Sequence, residues 1–283
     1  MTNLLKLILG FKKFRPVILA AYMVFVIYID GSAAFEKSEI GPAQIAMGNA
    51  GVAVFYSPHI IYYNPALLYL SENLQLVLTY QNYYGLSDLN EIDISSSFPL
   101  GDFGFSVALN RYGNNIYQEI KVTTGLGFMI ARDCALGIST QWYYLRIQNY
   151  GYEMTWGINL SAYYQLLPGL SIGAFVTNIN QPQLGEINEK LPLTFNWGFS
   201  YKPVDDMTLS FEVYRDIRYE EEYRAGLSYM IYSLLIVRAG IEDKKDTYSF
   251  GAGIRHEWIN LDYAVRIHHR LGISQTISIV LDL

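Results

Sequence analysis

From about residue 73 to the last residue, apolar and polar positions alternate in segments of about eight to fourteen residues, each closed by a turn. Successive side chains of a strand point to opposite faces, so a period of two predicts strands with one apolar and one polar face. In residues 135–145, Leu136, Ile138, Thr140, Trp142 and Tyr144 share one face, while Gly137, Ser139, Gln141 and Tyr143 share the other. The first segment sets Leu74, Leu76, Leu78 and Tyr80 against Gln75, Thr79 and Gln81. A middle one sets Phe195, Trp197, Phe199 and Tyr201 against Thr194, Asn196, Gly198 and Ser200. Fourteen segments are counted, or twelve if residues 90–97 and 234–241, whose patterns are less clean, are not strands.

The turns alternate in length. Pro99-Leu100-Gly101, Ala131-Arg132-Asp133, Leu167-Pro168-Gly169, Lys202-Pro203-Val204-Asp205, Tyr232-Ser233 and Glu257-Trp258 are tight, and the connections between them are mostly longer. The longest covers residues 178–190. Short periplasmic turns, longer external loops and an even strand number are the arrangement of an outer-membrane barrel, here with both termini periplasmic. The sequence therefore predicts an all-β fold, an antiparallel transmembrane β-barrel of fourteen strands, as a multi-pass protein of the bacterial outer membrane.

Charge decides which face meets lipid. A cationic side chain on the lipid face near the midplane costs about 2–4 kcal/mol. Lys121, Arg224, Arg238, Arg255, Arg266, Glu212 and Asp262 all fall on the polar parity, so the apolar faces point outward. Tyr80, Trp142, Tyr144, Tyr201 and Tyr229, near the ends of apolar faces, suit the aromatic girdles of the two interfaces. Composition agrees. The chain is 51% hydrophobic, 15% aromatic and only 16% charged, against about 25% charged in soluble domains. A soluble sandwich would turn its apolar face inward and charge the outer one. After residue 34 no apolar run approaches the roughly 20 residues of a membrane helix.

Residues 1–34 belong to another system. Lys6, Lys12, Lys13 and Arg15 precede the apolar run from Val17 to Ile29, and Ser32-Ala33-Ala34 supplies the small residues that a signal peptidase reads. Residues 1–34 are expected to be a signal peptide, with cleavage leaving Phe35 first. That removes four of the 20 basic and one of the 26 acidic residues, leaving a formal charge of −9, which argues against a nucleic-acid partner. Cys134 has no partner for an intramolecular disulfide and reads as a small hydrophobe.

Residues 35–72 follow neither pattern. Small residues dominate their first half, and Asn64-Pro65 signals a turn or helix start. The block Met47-Gly48-Asn49-Ala50-Gly51-Val52-Ala53, followed by Tyr63-Asn64-Pro65-Ala66 just before the first strand, resembles the start of FadL/PorV-like outer-membrane proteins. Residues 250–254, 261–264 and 275–279 resemble the end of that family. The resemblance implies a fourteen-stranded barrel, residues 73–283, with residues 35–72 folded into the lumen as a plug. Met47, Gly48, Gly51, Asn64, Pro65 and Ala66 are then the plug motif. Two departures stand out: Phe55-Tyr56-Ser57-Pro58-His59 occupies a gap where relatives carry acidic residues, and Leu67 replaces the usual Gly.

Short external loops favour the PorV-like branch, which implies a non-enzymatic platform for protein secretion or surface assembly. The alternative is a FadL-like transporter of hydrophobic or amphipathic small molecules. The expected partners are outer-membrane lipid, the barrel-insertion machinery reading the amphipathic last strand, and secretion-system proteins or a hydrophobic ligand. No cofactor, metal or catalytic residue is expected. None of the four histidines has a convincing serine partner at defined spacing, and adjacent His268 and His269 point to opposite faces. Arg224, Arg238, Arg255 and Arg266 have two readings. Either they attract an anionic head group, or they pair with Glu212, Asp262 and Asp282 and tie the plug to the wall.

Overall fold

The computed structural model describes residues 34–35, 39–56, 58–185, 188–244 and 246–283. The expected signal peptide, apart from Ala34, lies outside them. The strands of the wall are β1 (Gln75–Asn82), β2 (Asn90–Leu100), β3 (Phe103–Gly113), β4 (Tyr117–Ala131), β5 (Cys134–Ile147), β6 (Gly151–Leu167) and β7 (Leu170–Thr177). After a two-stranded hairpin, β8 (Gln183–Leu184) and β9 (Glu189–Lys190), the wall resumes. Its second half is β10 (Thr194–Val204), β11 (Met207–Asp216), β12 (Glu222–Ile231), β13 (Leu235–Glu242), β14 (Thr247–His256), β15 (Ile259–His268) and β16 (Gly272–Asp282).

Each wall strand pairs antiparallel with its neighbours in sequence. β7 pairs with β10 across the hairpin, and β16 returns to β1. That last pairing runs from Gln75↔Asp282 to Asn82↔Gln275. Closure leaves no strand edge with open hydrogen bonds, which a lipid environment demands. The wall has fourteen strands, so the twelve-strand alternative is discarded. Residues 90–97 and 234–241 both lie largely in wall strands. The second is apolar on both parities because Ile236 packs inside the lumen while Val237 faces out.

Alternation sorts the side chains as the cost of burying charge in lipid requires. Leu78, Ile94, Trp142, Trp197, Phe250 and Ile277 are exposed on the outer surface. Thr79, Asp93, Gln141, Asn196, Ser249 and Thr276, their neighbours on the other parity, are buried inside. An exposed apolar belt around a closed barrel makes the chain a multi-pass β-barrel of the outer-membrane type. The hydrophobic core is inside the barrel, where Ile40, Ile60, Ile61, Tyr62, Tyr63, Leu67 and Leu68 cluster against Ala108 of the wall.

That core belongs to the segment before β1. It contains a short helix α1 (Pro42–Ala46) and two 3-10 turns, η1 (Pro58–Tyr62) and η2 (Pro65–Leu70). Proline opens all three, as suits a first helical position whose N–H would have no partner anyway. The chain direction differs from the expectation of a periplasmic N-terminal end. Phe35 packs with Tyr143, Leu145, Leu184 and Leu191 at the long-loop end, whereas Leu70 lines a cavity with Gly169 and Lys202 at the short-turn end. The segment therefore runs through the lumen from the external side to the periplasmic side before β1 starts. An unbroken wall leaves it no other route to that starting point.

Candidate functional site

The lumen is joined to its segment first by backbone contact. A Cβ added to Gly240 would sit 2.0 Å from the Gly48 nitrogen, and one on Gly226 would sit 2.4 Å from the Met47 carbonyl oxygen. On the opposite wall, a Cβ on Gly104 would overlap the Leu68 carbonyl and one on Gly137 would overlap the Ala66 nitrogen. The glycines of the polar parity thus form a socket for the segment's backbone. Gly48 itself takes a positive φ of 62°, the left-handed region that glycine enters at little cost.

Side-chain hydrogen bonds complete the fit. Asn64 caps η2 by accepting from the Ala66 N–H at 3.0 Å, and its amide donates to the Val52 carbonyl at 2.6 Å and the Ala162 carbonyl at 3.1 Å. One side chain therefore links both halves of the segment to β6. The Ala66 N–H also donates to Ser161 Oγ at 2.8 Å. Asn49 donates to Glu242 at 3.1 Å and accepts from the Tyr63 hydroxyl at the same distance. The Val52 N–H donates to Glu212 at 2.9 Å. Of the motif residues, Met47, Gly48 and Ala66 touch the wall directly, Pro65 lies against Gly127, and Gly51 lies under the Tyr63 ring.

The lumenal charges gather into two groups on the β11–β15 side. Arg224 lies 2.6 Å from Glu222, 3.6 Å from Glu212 and 3.6 Å from Glu39, with its guanidinium 4.2 Å above the Tyr214 ring. Arg266 bonds to Glu39 as well, and to Glu242 at 3.1 Å. Glu39, carried by the lumenal segment, therefore bridges two arginines of the wall. Arg238 pairs with Asp262 at 2.5 Å and faces the Tyr56 ring of the segment.

Arg255 is exposed at the short-turn end of the lumen, where it lines a cavity with Tyr56 and Asp262. Asp282 bonds to Gln75 and Asn260, its strand neighbours, rather than to an arginine.

A third group, on β2 and β4, joins Lys121 to two acids that were not singled out from the sequence, Glu91 and Asp93. The Tyr62 hydroxyl donates to Asp93 at 2.6 Å, Tyr83 donates to Glu91 at 2.5 Å, and Lys121 lies over the Tyr62 ring at 5.5 Å. His59, in η1, bonds to Thr79 Oγ1 at 2.7 Å. It is buried and acts there as a hydrogen-bonding group. Glu91 and Asp93 share the parity of Ser95 and Ser97, and Glu222 and Glu242 share that of Arg224 and Arg238. The signal for these acids was present. Glu39 had no such signal, because it precedes any periodic element.

Cavities remain at both ends. On the external side, about 380 Å³ lies among Tyr83, Tyr84, Tyr214 and Tyr219, with Glu39, Lys244, Arg266 and His268. A smaller cavity of about 70 Å³ continues from Glu39 and Tyr214 toward Tyr63, Tyr143 and Phe175. At the short-turn end, cavities of about 340 and 440 Å³ meet at Phe55. The two ends share no lining residue, and the packed core of the segment lies between them. Among the described residues no cluster of His, Cys, Asp or Glu has metal-binding geometry. His268 accepts hydrogen bonds from the N–H groups of Arg270 and Leu271 in its own turn.

The sequence matches no protein-family model and no curated protein. Solved structures do share the fold. TbuX, a toluene transporter of Ralstonia pickettii, aligns with a TM-score of 0.68 at 14% identity, over 88% of this chain and 100% of TbuX. The CymD monoaromatic hydrocarbon channel gives 0.67 at 13%, over 88% and 99%. A Pseudomonas aeruginosa FadL homologue gives 0.57 at 12%, over 86% and 98%. Their likeness is one of fold, and it gives no support to the PorV-like branch. The chain is a fourteen-stranded outer-membrane barrel with a FadL-like fold.

Proposed function

We propose that this barrel passes hydrophobic or amphipathic small molecules across the outer membrane, and that residues 35–72 act as its plug. The observation that carries this is the separated pair of end cavities, divided by a segment that is docked into the wall but contributes no strand to it. A barrel that served only as a scaffold would need neither cavity. The fold likeness to hydrocarbon channels supports the same reading, and the secretion-platform expectation gains nothing from the comparisons.

The external cavity fits an amphipathic guest. Tyrosine rings offer apolar faces and hydroxyl edges, while the arginines beneath are already held by Glu39, Glu222 and Glu242. A guest carrying a carboxylate would compete with Glu39 for Arg224 and Arg266, and so loosen the plug at its external end. A pure hydrocarbon has no such lever.

The test is purification in mild detergent followed by native mass spectrometry. A bound small molecule, released on unfolding and replaceable by added long-chain fatty acid or toluene, is expected. A stoichiometric protein partner with no small molecule would overturn the transport reading in favour of secretion.

A further inference from the structure

We infer that Glu119 is the receptor for a terminal ammonium on Phe35, created when the leader is hydrolysed from the chain after Ala34. This rests on the leader reading of the sequence and is independent of what passes through the barrel. Three observations meet at one bond. Residues Ala34–Leu283 form one compact unit, so the unit begins one residue before the bond that Ser32-Ala33-Ala34 marks for a peptidase. The Phe35 nitrogen lies 3.1 Å from Glu119 Oε1, the oxygen to which the Tyr117 hydroxyl also donates at 2.5 Å. Phe35 also has a φ of 62°, an outlying conformation for a bulky residue inside a chain.

Hydrolysis resolves the last of these. Water adds across the Ala34–Phe35 peptide: the C–N bond breaks, its oxygen joins the Ala34 carbonyl carbon, and its hydrogens leave Ala34 a carboxylic acid and Phe35 an amine. The acid then loses its proton, and the amine takes one to become an ammonium. The φ angle of Phe35 is defined by the Ala34 carbonyl carbon, so the constraint vanishes with the bond. A single N–H donor becomes a cation with three donors, and hydrogen bonds between ionised partners are the strong ones.

The surroundings suit a cation held in place. The Phe35 ring meets Tyr143 edge-on at 4.8 Å and packs with Leu145, Leu184 and Leu191. On the same inward parity of β2 and β4 stand three acids, Glu91, Asp93 and Glu119, beside the one cation Lys121. A second cation on that side brings the charges nearer to balance, as a poorly solvated lumen requires. Ala34 and Phe35 are only 9% and 5% exposed. A peptidase cannot reach this bond in the finished barrel, so cleavage precedes folding.

The experiment uses the full barrel extracted from outer membranes. Intact mass and N-terminal sequencing should give Phe35 as the first residue. A carbodiimide, which joins amines to carboxylates in contact, should then yield a Phe35–Glu119 amide by peptide mapping. In Glu119→Gln that product is lost, and labelling of the folded protein by a terminus-selective aldehyde should be at least about fivefold faster. A different first residue overturns the cleavage site. A correct start whose amine couples to another acid, or to none, overturns Glu119 as its receptor, as does an unchanged labelling rate in Glu119→Gln. The coupling needs no variant, so it decides even if Glu119→Gln fails to insert.

Discussion

The Asn64 amide and the Val52 carbonyl stand 2.6 Å apart inside the barrel, and that bond joins the two halves of the lumenal segment. The same amide reaches Ala162 of β6, so losing it affects both the segment's own fold and its grip on the wall. Asn64→Ala leaves the buried Val52 carbonyl without this donor, a loss of about 1–3 kcal/mol. Hydrogen exchange across residues 40–70 should speed up while the strands keep their protection. Unchanged exchange in those residues would contradict this role.

Gly240 tests the socket. Its missing side chain is where the Gly48 nitrogen sits, at 2.0 Å from the position of a Cβ. Gly240→Val must push the segment off β13, while β12 and β14 pair as before. Planar-bilayer conductance is expected to rise several-fold, with migration of unboiled protein on a denaturing gel unchanged. A conductance equal to wild type would show that the segment is held from elsewhere.

Arg224 and Glu39 should respond unequally. Arg224→Met leaves Glu212 and Glu222 buried without their shared cation, and breaking buried pairs in this way costs about 3–5 kcal/mol. Glu39→Gln keeps a hydrogen-bonding side chain and leaves both arginines with wall carboxylates. Urea unfolding in detergent should show a large fall for the first and a change of under about 1.5 kcal/mol for the second. Equal losses would mean that Glu39 holds the charge cluster together.

Leu78 and Thr79 separate lipid from lumen. Leu78 is 52% exposed on the outer surface in the middle of β1, and Thr79 is buried behind it. Leu78→Arg should lower folding stability in bilayers by about 2–4 kcal/mol. Thr79→Ser, inside, should keep its bond to His59 and change stability by less than about 1 kcal/mol. A harmless Leu78→Arg would place the membrane elsewhere on the wall.

The barrel was legible because a period of two survives in single strands. Trp197 and Asn196 declare their faces without help from any other segment, and even the doubtful residues 234–241 keep Arg238 and Gly240 on one parity. The socket was not legible, because Gly137 and Gly240 read as ordinary small inward residues until a backbone is seen against them. Glu39 was missed for a related reason: its place depends on where an aperiodic segment threads, and no local pattern encodes that. The hairpin β8–β9 lay hidden in a loop whose strands are too short to show alternation. The charges of the wall were half legible. Glu212 and Asp262 stand on the inward parity, and the same parity carries Glu91, Asp93, Glu222 and Glu242.

The central claim is passage of small amphipathic molecules past a plug held by the wall. Its most direct test is uptake of radiolabelled long-chain fatty acid and of toluene by cells that lack their own hydrocarbon and fatty-acid transporters. Cells carrying the protein should take up at least one of these several-fold faster than empty cells, and Gly240→Val should alter that rate. Uptake equal to that of empty cells for both solutes, with the barrel folded in the outer membrane, would contradict the account.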